Sequence, residues 1–537
     1  MTVGQNLVGT GGLIRLILRR DRVLLPLWVF LLALVPVSGV AATRELVSTQ
    51  AELQQYADTS GTNPAFLALY GPLYDVSLGG VIAQRMGMFP VILALICALT
   101  VIRHTRTEEE AGRRDLLGAT VIGRQANLAA ALIVVLGANL VLALVIALGM
   151  IGQDLPVAGS VAFGLSFALA GWVFAAVGGV AAQLTEGAGA ARGLALTVLG
   201  AAFVLRLAGD IGGEGNGASW LSGLSPIGWA HQIRSYGDER WWILVPAGVL
   251  VLGLVTAAFL LSARRDVGAG VLPPRLGPAS ASPRLRGTLG LAWRLQRGLL
   301  VSWTAGLTVL GLVYGGVAWG VRDMLKGNRE MEEIFARMGG SAGIVDATLA
   351  AMLGIIGLIA SAYAIQATLR MRAEETSLRL EPVLGTAVGR VRWMASHLVF
   401  ALLGPTVALA AAGLAAGFVH GLNADDVGGQ LPRVFAGAMV QLPAVWTLAA
   451  VAVALFGLLP RIAAASWAAF GLCLFLGWVG ALLQLDQVLL DASPFTHLPK
   501  LPGGDVTAEP FVWLAGVVVV LVAVGLVGFR RRDVPVT

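Results

Sequence analysis

The sequence predicts an all-α integral membrane protein of about 12 transmembrane helices, built as two tandem parallel six-helix repeats. Three observations carry that prediction. The chain is 57% hydrophobic and only 13% charged, where a soluble domain has about a quarter of its residues charged. Apolar runs of about 20 residues, the length that crosses a hydrocarbon core as a helix, recur from end to end. A hydrophilic segment near residue 108 returns at an offset of 266 positions. Unpaired backbone groups cost several kcal/mol in lipid, so each crossing is helical.

The first six runs fall near 23–43, 81–102, 127–151, 157–182, 193–212 and 241–262. The second six fall near 298–320, 349–369, 393–419, 433–459, 463–484 and 511–529. The first follows Arg15, Arg19, Arg20 and Arg22, as in a secretory leader, but it is long and the second half opens similarly, so it reads as a retained helix. The prolines and small residues of VLPPRLGPASASPRLR mark 271–286 as a cytoplasmic linker between a first half, 1–270, and a second half, 287–537. Ahead of the first and seventh spans, Leu13 to Arg20 and Leu291 to Arg297 mix leucines with arginines, a pattern suited to an interfacial helix or to the basic end of a longer one.

Orientation follows from arginine, which short cytoplasmic loops retain. The groups 103–124, 264–297, 370–392 and 530–532 are arginine-rich and place both termini in the cytoplasm of a multi-pass bacterial inner-membrane protein. The 322–348 loop also holds basic residues, but Asp323, Glu330, Glu332 and Glu333 balance them, so it reads as an outside loop. With the loops at 44–80 and 322–348 outside, helix-like stretches at 49–57 and 328–338 are expected to cap the exit. Ser225-Pro226 and Ser493-Pro494, beside Trp220, Trp229 and Phe495, are expected as short helices dipping into the outer interface. The net charge of +6 and pI near 9.8 are explained by this topology, and with little aromatic interleaving they give no reason to expect nucleic acid. Cys97 and Cys473 lie inside apolar runs, which argues against a disulfide framework or a thiolate metal site.

The repeat is best defined in its polar part. EEEAGRRDLLGATVIGR at 108–124 aligns without a gap on EETSLRLEPVLGTAVGR at 374–390, with Glu108, Glu109, Arg113, Thr120, Gly123 and Arg124 identical to their counterparts Glu374, Glu375, Arg379, Thr386, Gly389 and Arg390. Asp115 meets Glu381, and upstream Arg106 meets Arg372. Farther on, Arg264-Arg265-Asp266-Val267 matches Arg531-Arg532-Asp533-Val534. An even number of spans between copies returns the chain to the same side, so the halves are parallel. Each copy sits between the second and third spans of its half, where Glu109 with Arg113 and Glu375 with Arg379, four apart, are expected to pair along a short surface helix. Exposed charge kept in both halves points to a docking surface.

This segment resembles the coupling region of ABC-2 type permeases, whose pattern runs roughly E-x-E-x-G-T-L-E-x-L-L-x-T-P-x-S-R. Glu108, Glu110, Gly112, Asp115, Leu117, Thr120 and Arg124 fall at matching places, and the second copy keeps Glu374, Glu381, Leu384, Thr386 and Arg390. The family proline and serine are replaced by Val121 and Gly123 in one copy and by Ala387 and Gly389 in the other. The resemblance covers nearly the whole chain, and the fused twelve-span form is similar to actinobacterial antibiotic-exporter permeases of the tetronasin-resistance type. It implies a multidrug exporter subunit whose coupling residues, Glu108, Glu109, Arg113, Asp115, Arg124, Glu374, Glu375, Arg379, Glu381 and Arg390, face two ATP-binding subunits, expected as a homodimer. It also implies that the second and fifth spans line the path, bringing Met86, Phe89, Phe203, Phe470, Phe475 and Trp478 toward a hydrophobic or amphipathic small-molecule cargo, with membrane lipids around them.

The chain has no Gly-x4-Gly-Lys-Ser/Thr loop, since Lys326 and Lys500 are followed by Gly327 and Leu501, so ATP and Mg belong to a partner and no cofactor is expected here. His104, His231, His397, His420 and His497 are scattered without ligand spacing, so neither metal nor catalytic residue is expected. The rival is an ion-coupled secondary efflux carrier, which needs ionisable groups at membrane depth. Arg206 and Asp210, four apart near the end of the fifth span, are placed to pair with each other.

Overall fold

The computed structural model describes the chain except residues 1–2, 48, 62–63, 115–120, 211–218, 273–279, 281, 286, 326–339, 478–485, 505 and 535–537. Among the described residues it is helical and without strands, and 11 helices are long and apolar enough to cross a membrane. The chain forms two compact units, Met1–Gly277 and Pro278–Thr537.

In the first unit an amphipathic helix, α1 (Thr10–Arg20), turns at residues 21–23 into the first span, α2 (Leu24–Leu46). Then come α3 (Gln50–Ser60), capped by Thr49 and Glu52, and α4 (Pro64–Tyr70). The second predicted span is broken into α5 (Leu78–Arg85) and α6 (Phe89–His104). Gly87 sits at the break, where any Cβ would run into the Tyr70 carbonyl, and Pro90 opens the new helix without needing an N–H partner. A five-residue helix, α7 (Arg106–Glu110), follows. The remaining crossings are α8 (Ala126–Ile151), α9 (Val157–Leu184), α10 (Ala188–Asp210) and, after the short helices α11 (Trp220–Leu224) and α12 (Pro226–Gln232), α13 (Leu244–Arg264).

The second unit repeats this order with different joints. Its interfacial segment is fused into α14 (Thr288–Leu325), so here the basic residues are the end of a longer helix. Its second span is unbroken in α15 (Gly340–Thr376), followed by α16 (Leu380–Leu384) and α17 (Arg390–Asn423). The tenth predicted span is α18 (Val427–Met439) continued by α19 (Leu442–Leu458). The eleventh appears as a 3-10 turn at Pro460–Ala465 leading into α20 (Ser466–Phe475), and 478–484 of that run lie outside the described residues. The last crossing is α21 (Glu509–Arg531). Around Ser493-Pro494 there are hydrogen-bonded turns rather than the expected helix, whereas Ser225-Pro226 does open α12, with the Ser225 hydroxyl accepting the Gly228 N–H at 3.2 Å.

Small residues set the closest helix contacts, as packing in lipid requires. Gly311 and Gly315 of α14 lie against the backbone of Ala412 and Ala416 of α17, and Gly457 of α19 lies against Gly525 of α21. Cys97 and Cys473 are buried free thiols. The Asn139 side-chain amide donates to the Cys97 sulfur at 3.2 Å, satisfying one polar group inside the bundle.

Candidate functional site

The repeated polar segment builds a clasp in each unit. In the first, α6 ends at His104 and α7 brings the Glu109 carboxylate inward, its side chain only 2% exposed. Arg106 donates to it at 2.6 Å, Arg114 donates to it from four residues beyond α7, and Arg265, just past the end of α13, donates through both Nη atoms at 3.0 and 2.8 Å. The Gly268 N–H adds a bond at 3.2 Å. Arg265 is held in turn by the Gln183 side-chain oxygen at 2.8 Å, at the end of α9. Arg124, at the approach to α8, donates to the Arg265 carbonyl, and Arg114 donates to the Arg124 carbonyl at 2.8 Å. The ends of the second, fourth and sixth spans and the start of the third therefore converge on one carboxylate.

The second unit builds the centre of this arrangement from equivalent residues, with Leu380 standing where the first has Arg114. Glu375 has a fully buried side chain and accepts from Arg372 at 3.2 Å and from Arg532, beyond α21, at 2.5 and 3.0 Å. Arg390 donates to the Arg532 carbonyl at 2.6 Å. Arg532 also lies over the rings of Phe456 and Phe529, 5.0 and 5.1 Å from their centroids. A carboxylate this deeply buried is tolerable only with its charge met by close donors.

Two expectations are corrected by this geometry. Glu109 does not pair with Arg113, nor Glu375 with Arg379, because a left-handed residue stops the helix between each pair: Gly112 at φ +69° and Leu378 at φ +56°. Arg113 instead turns back to Glu108, at 2.6 and 2.9 Å, and Arg379 approaches Glu374 at 3.8 Å. Nor are Glu109 and Glu375 exposed, so their retention in both halves is accounted for by the clasp. Gly112 and Leu378 occupy equivalent positions, so the same backbone turn is kept where only one copy has the residue that favours it.

The other coupling candidates divide by exposure. Arg113 and Arg379 point outward, with side chains 51% and 62% exposed, and Glu381 is exposed at the start of α16. Glu108 bridges Arg20 of α1 and Arg113, and Glu110 accepts the Ala188 N–H at 3.0 Å, bonding the first loop to the start of the fifth span. Asp115 lies outside the described residues. Arg106, Arg114, Arg265, Arg372 and Arg532 bond the two carboxylates without being among the coupling candidates, although the repeat already aligned all of them but Arg114.

The pathway candidates are divided between the two units. Met86 lies in the break of the second span beside a 40 Å³ cavity, and Phe89 packs near Phe167, ring centroids 6.4 Å apart. Phe203 sits under Arg206 at 5.1 Å, Phe470 stacks edge-on to Trp467 at 5.8 Å, Phe475 is exposed, and Trp478 lies outside the described residues. In the second unit a cavity of about 790 Å³ opens between α15 and the turns before α21, where Ala350, Gly354, Gln441 and Phe495 face it.

The predicted pairing of Arg206 with Asp210 is present at 3.2 Å, with both side chains buried. Arg206 also donates to the Ala68 carbonyl, fastening α4 to the fifth span. Nearby, the His231 imidazole donates to the Gly87 carbonyl at 3.1 Å and buttresses the break in the second span. Burial, and after it the Arg206 charge, pushes its pKa down to about 3, so it is neutral at physiological pH.

Comparison with known proteins agrees in kind. The family model described as "Multidrug efflux system permease Rv1217c, C-terminal domain" matches residues 285–530. The "Multidrug efflux system permease protein Rv1217c" of Mycobacterium tuberculosis is 46% identical over 533 residues, covering 99% of this chain and 96% of that protein. Together with the apolar spans, these matches define the class as a multi-pass membrane permease of the ABC-2 multidrug type. Within that class the chain belongs to the family of the mycobacterial efflux permease Rv1217c.

Proposed function

We propose that this chain is the membrane subunit of an ATP-driven exporter. It moves hydrophobic or amphipathic small molecules out of the cell, energised by two separate ATP-binding subunits that dock on the loops between the second and third spans of each half. The arginine-rich face, with both termini, is then cytoplasmic. The observation that best supports this reading is the duplicated clasp: the loop that would receive a push is bonded, through Glu109 and Glu375, to the end of the sixth span in its own half. Outward-facing Arg113, Arg379 and Glu381 supply the contact, and the buried carboxylates transmit it. In the first half Glu110 carries the same link to the fifth span.

Purification from the native membrane in mild detergent tests the docking. Wild type is expected to bring down a stoichiometric ATPase, and Arg113→Glu combined with Arg379→Glu is expected to lose it while the permease stays folded. Retention of the ATPase by that variant would place the contact elsewhere. The second reading, an ion-coupled efflux carrier, draws on the Arg206 and Asp210 pair of the fifth span. Because that pair is engaged in holding α4, it is a poor candidate for a proton relay.

A further inference from the structure

Beside the first clasp lies a cleft of about 750 Å³, within the range of small-molecule sites. Its apolar lining is Leu13, Leu16 and Ile17 of α1 with Ile122, and its polar edge includes Arg20 and Arg124. Leu13 and Ile17 are buried against α8, while Leu16 and Leu18 are half exposed among exposed Arg15 and Arg19. Such a helix lies in the plane of the membrane surface, with leucines in the acyl boundary and arginines among head groups. The cleft it roofs therefore sits where a lipid of that leaflet can enter.

The charge around the cleft is unbalanced. Among the described residues Arg20, Arg114 and Arg124 line it against one carboxylate, Glu108. Among the described residues Arg124 donates to a backbone carbonyl and to no carboxylate. A guanidinium in that state, above an apolar floor, suits an anion with a hydrocarbon tail.

We infer that this cleft binds an anionic phospholipid from the arginine-rich leaflet. Arg20 and Arg124 hold its phosphate, and its acyl chains run along Leu16, Ile17 and Ile122. In the second unit the corresponding residues continue α14 without a turn, so no separate helix roofs the equivalent place. The bound lipid would fill the space between α1 and the clasp and fix the position of the first loop.

Native mass spectrometry of the full chain in detergent micelles, titrated with phosphatidylglycerol, phosphatidylcholine or inorganic phosphate, tests this. Wild type is expected to retain one phosphatidylglycerol about thirtyfold more tightly than phosphatidylcholine, the contribution of two arginines near a membrane surface. Arg20→Gln with Arg124→Gln should erase that preference. Ile122→Trp, which fills the cleft and keeps the charges, should abolish retention and remains informative if the double variant does not fold. Equal retention of the two lipids by wild type, unchanged preference in either folded variant, or displacement of the lipid by millimolar inorganic phosphate would overturn the assignment.

Discussion

At the scale of single residues, the clasp rests on two carboxylates whose charge is fully engaged. Truncating Glu109 leaves buried Arg106 and Arg265 uncompensated, so Glu109→Ala should cost about 3–5 kcal/mol, and Glu375→Ala, whose partners Arg372 and Arg532 are partly exposed, should cost less. Thermal unfolding of the purified protein measures this, and a change near zero would mean that the ion pairs are dispensable. The left-handed turns give a paired prediction. Among the described residues nothing meets a Cβ at Gly112, so Gly112→Ala should cost about 1–2 kcal/mol through backbone strain. Leu378→Gly, at the equivalent place, should be neutral or stabilising, since relief of strain outweighs the added chain entropy. His231 sets an acid limit. Its folded pKa of about 3 lies below the unfolded value near 6.5, so the unfolded chain binds the extra proton and stability falls as pH drops from about 6.5 toward 3. His231→Gln should make that decline shallower.

At the scale of elements, hydropathy located the spans well because length and apolarity are what the bilayer demands. The first unit's second span was legible as an apolar run but not as α5, a break and α6. Gly87 and Pro90 look like ordinary punctuation until the Tyr70 carbonyl is seen against Gly87. Gly87→Ala should therefore destabilise by about 1–3 kcal/mol, read as a lowered unfolding midpoint, although alanine favours helix in isolation. The interfacial segments show the same limit. Two similar leucine–arginine stretches became a separate helix in one unit and the end of a longer one in the other, and the joint at Asp21 is decided by its bonds to Arg103 and His104. In the clasp, the residues were legible and their partners were not. Local spacing suggested Arg113 for Glu109, whereas the partner that closes the clasp, Arg265, lies 156 positions away. The repeat alignment contained both residues, but only the fold brings them together.

At the scale of the whole molecule, each compact unit carries one clasp, made from equivalent residues at equivalent span ends. Duplication of a buried charge network is costly to maintain, and a chain needing only to sit in lipid has no use for it. An exporter driven at two loops does. The most direct test of that claim is the energy source of transport. In inside-out vesicles holding the permease with its copurified partner, accumulation of a fluorescent amphiphile should require ATP and persist when a protonophore collapses the pH gradient. Accumulation driven by a pH gradient without ATP, and abolished by the protonophore, would contradict the account.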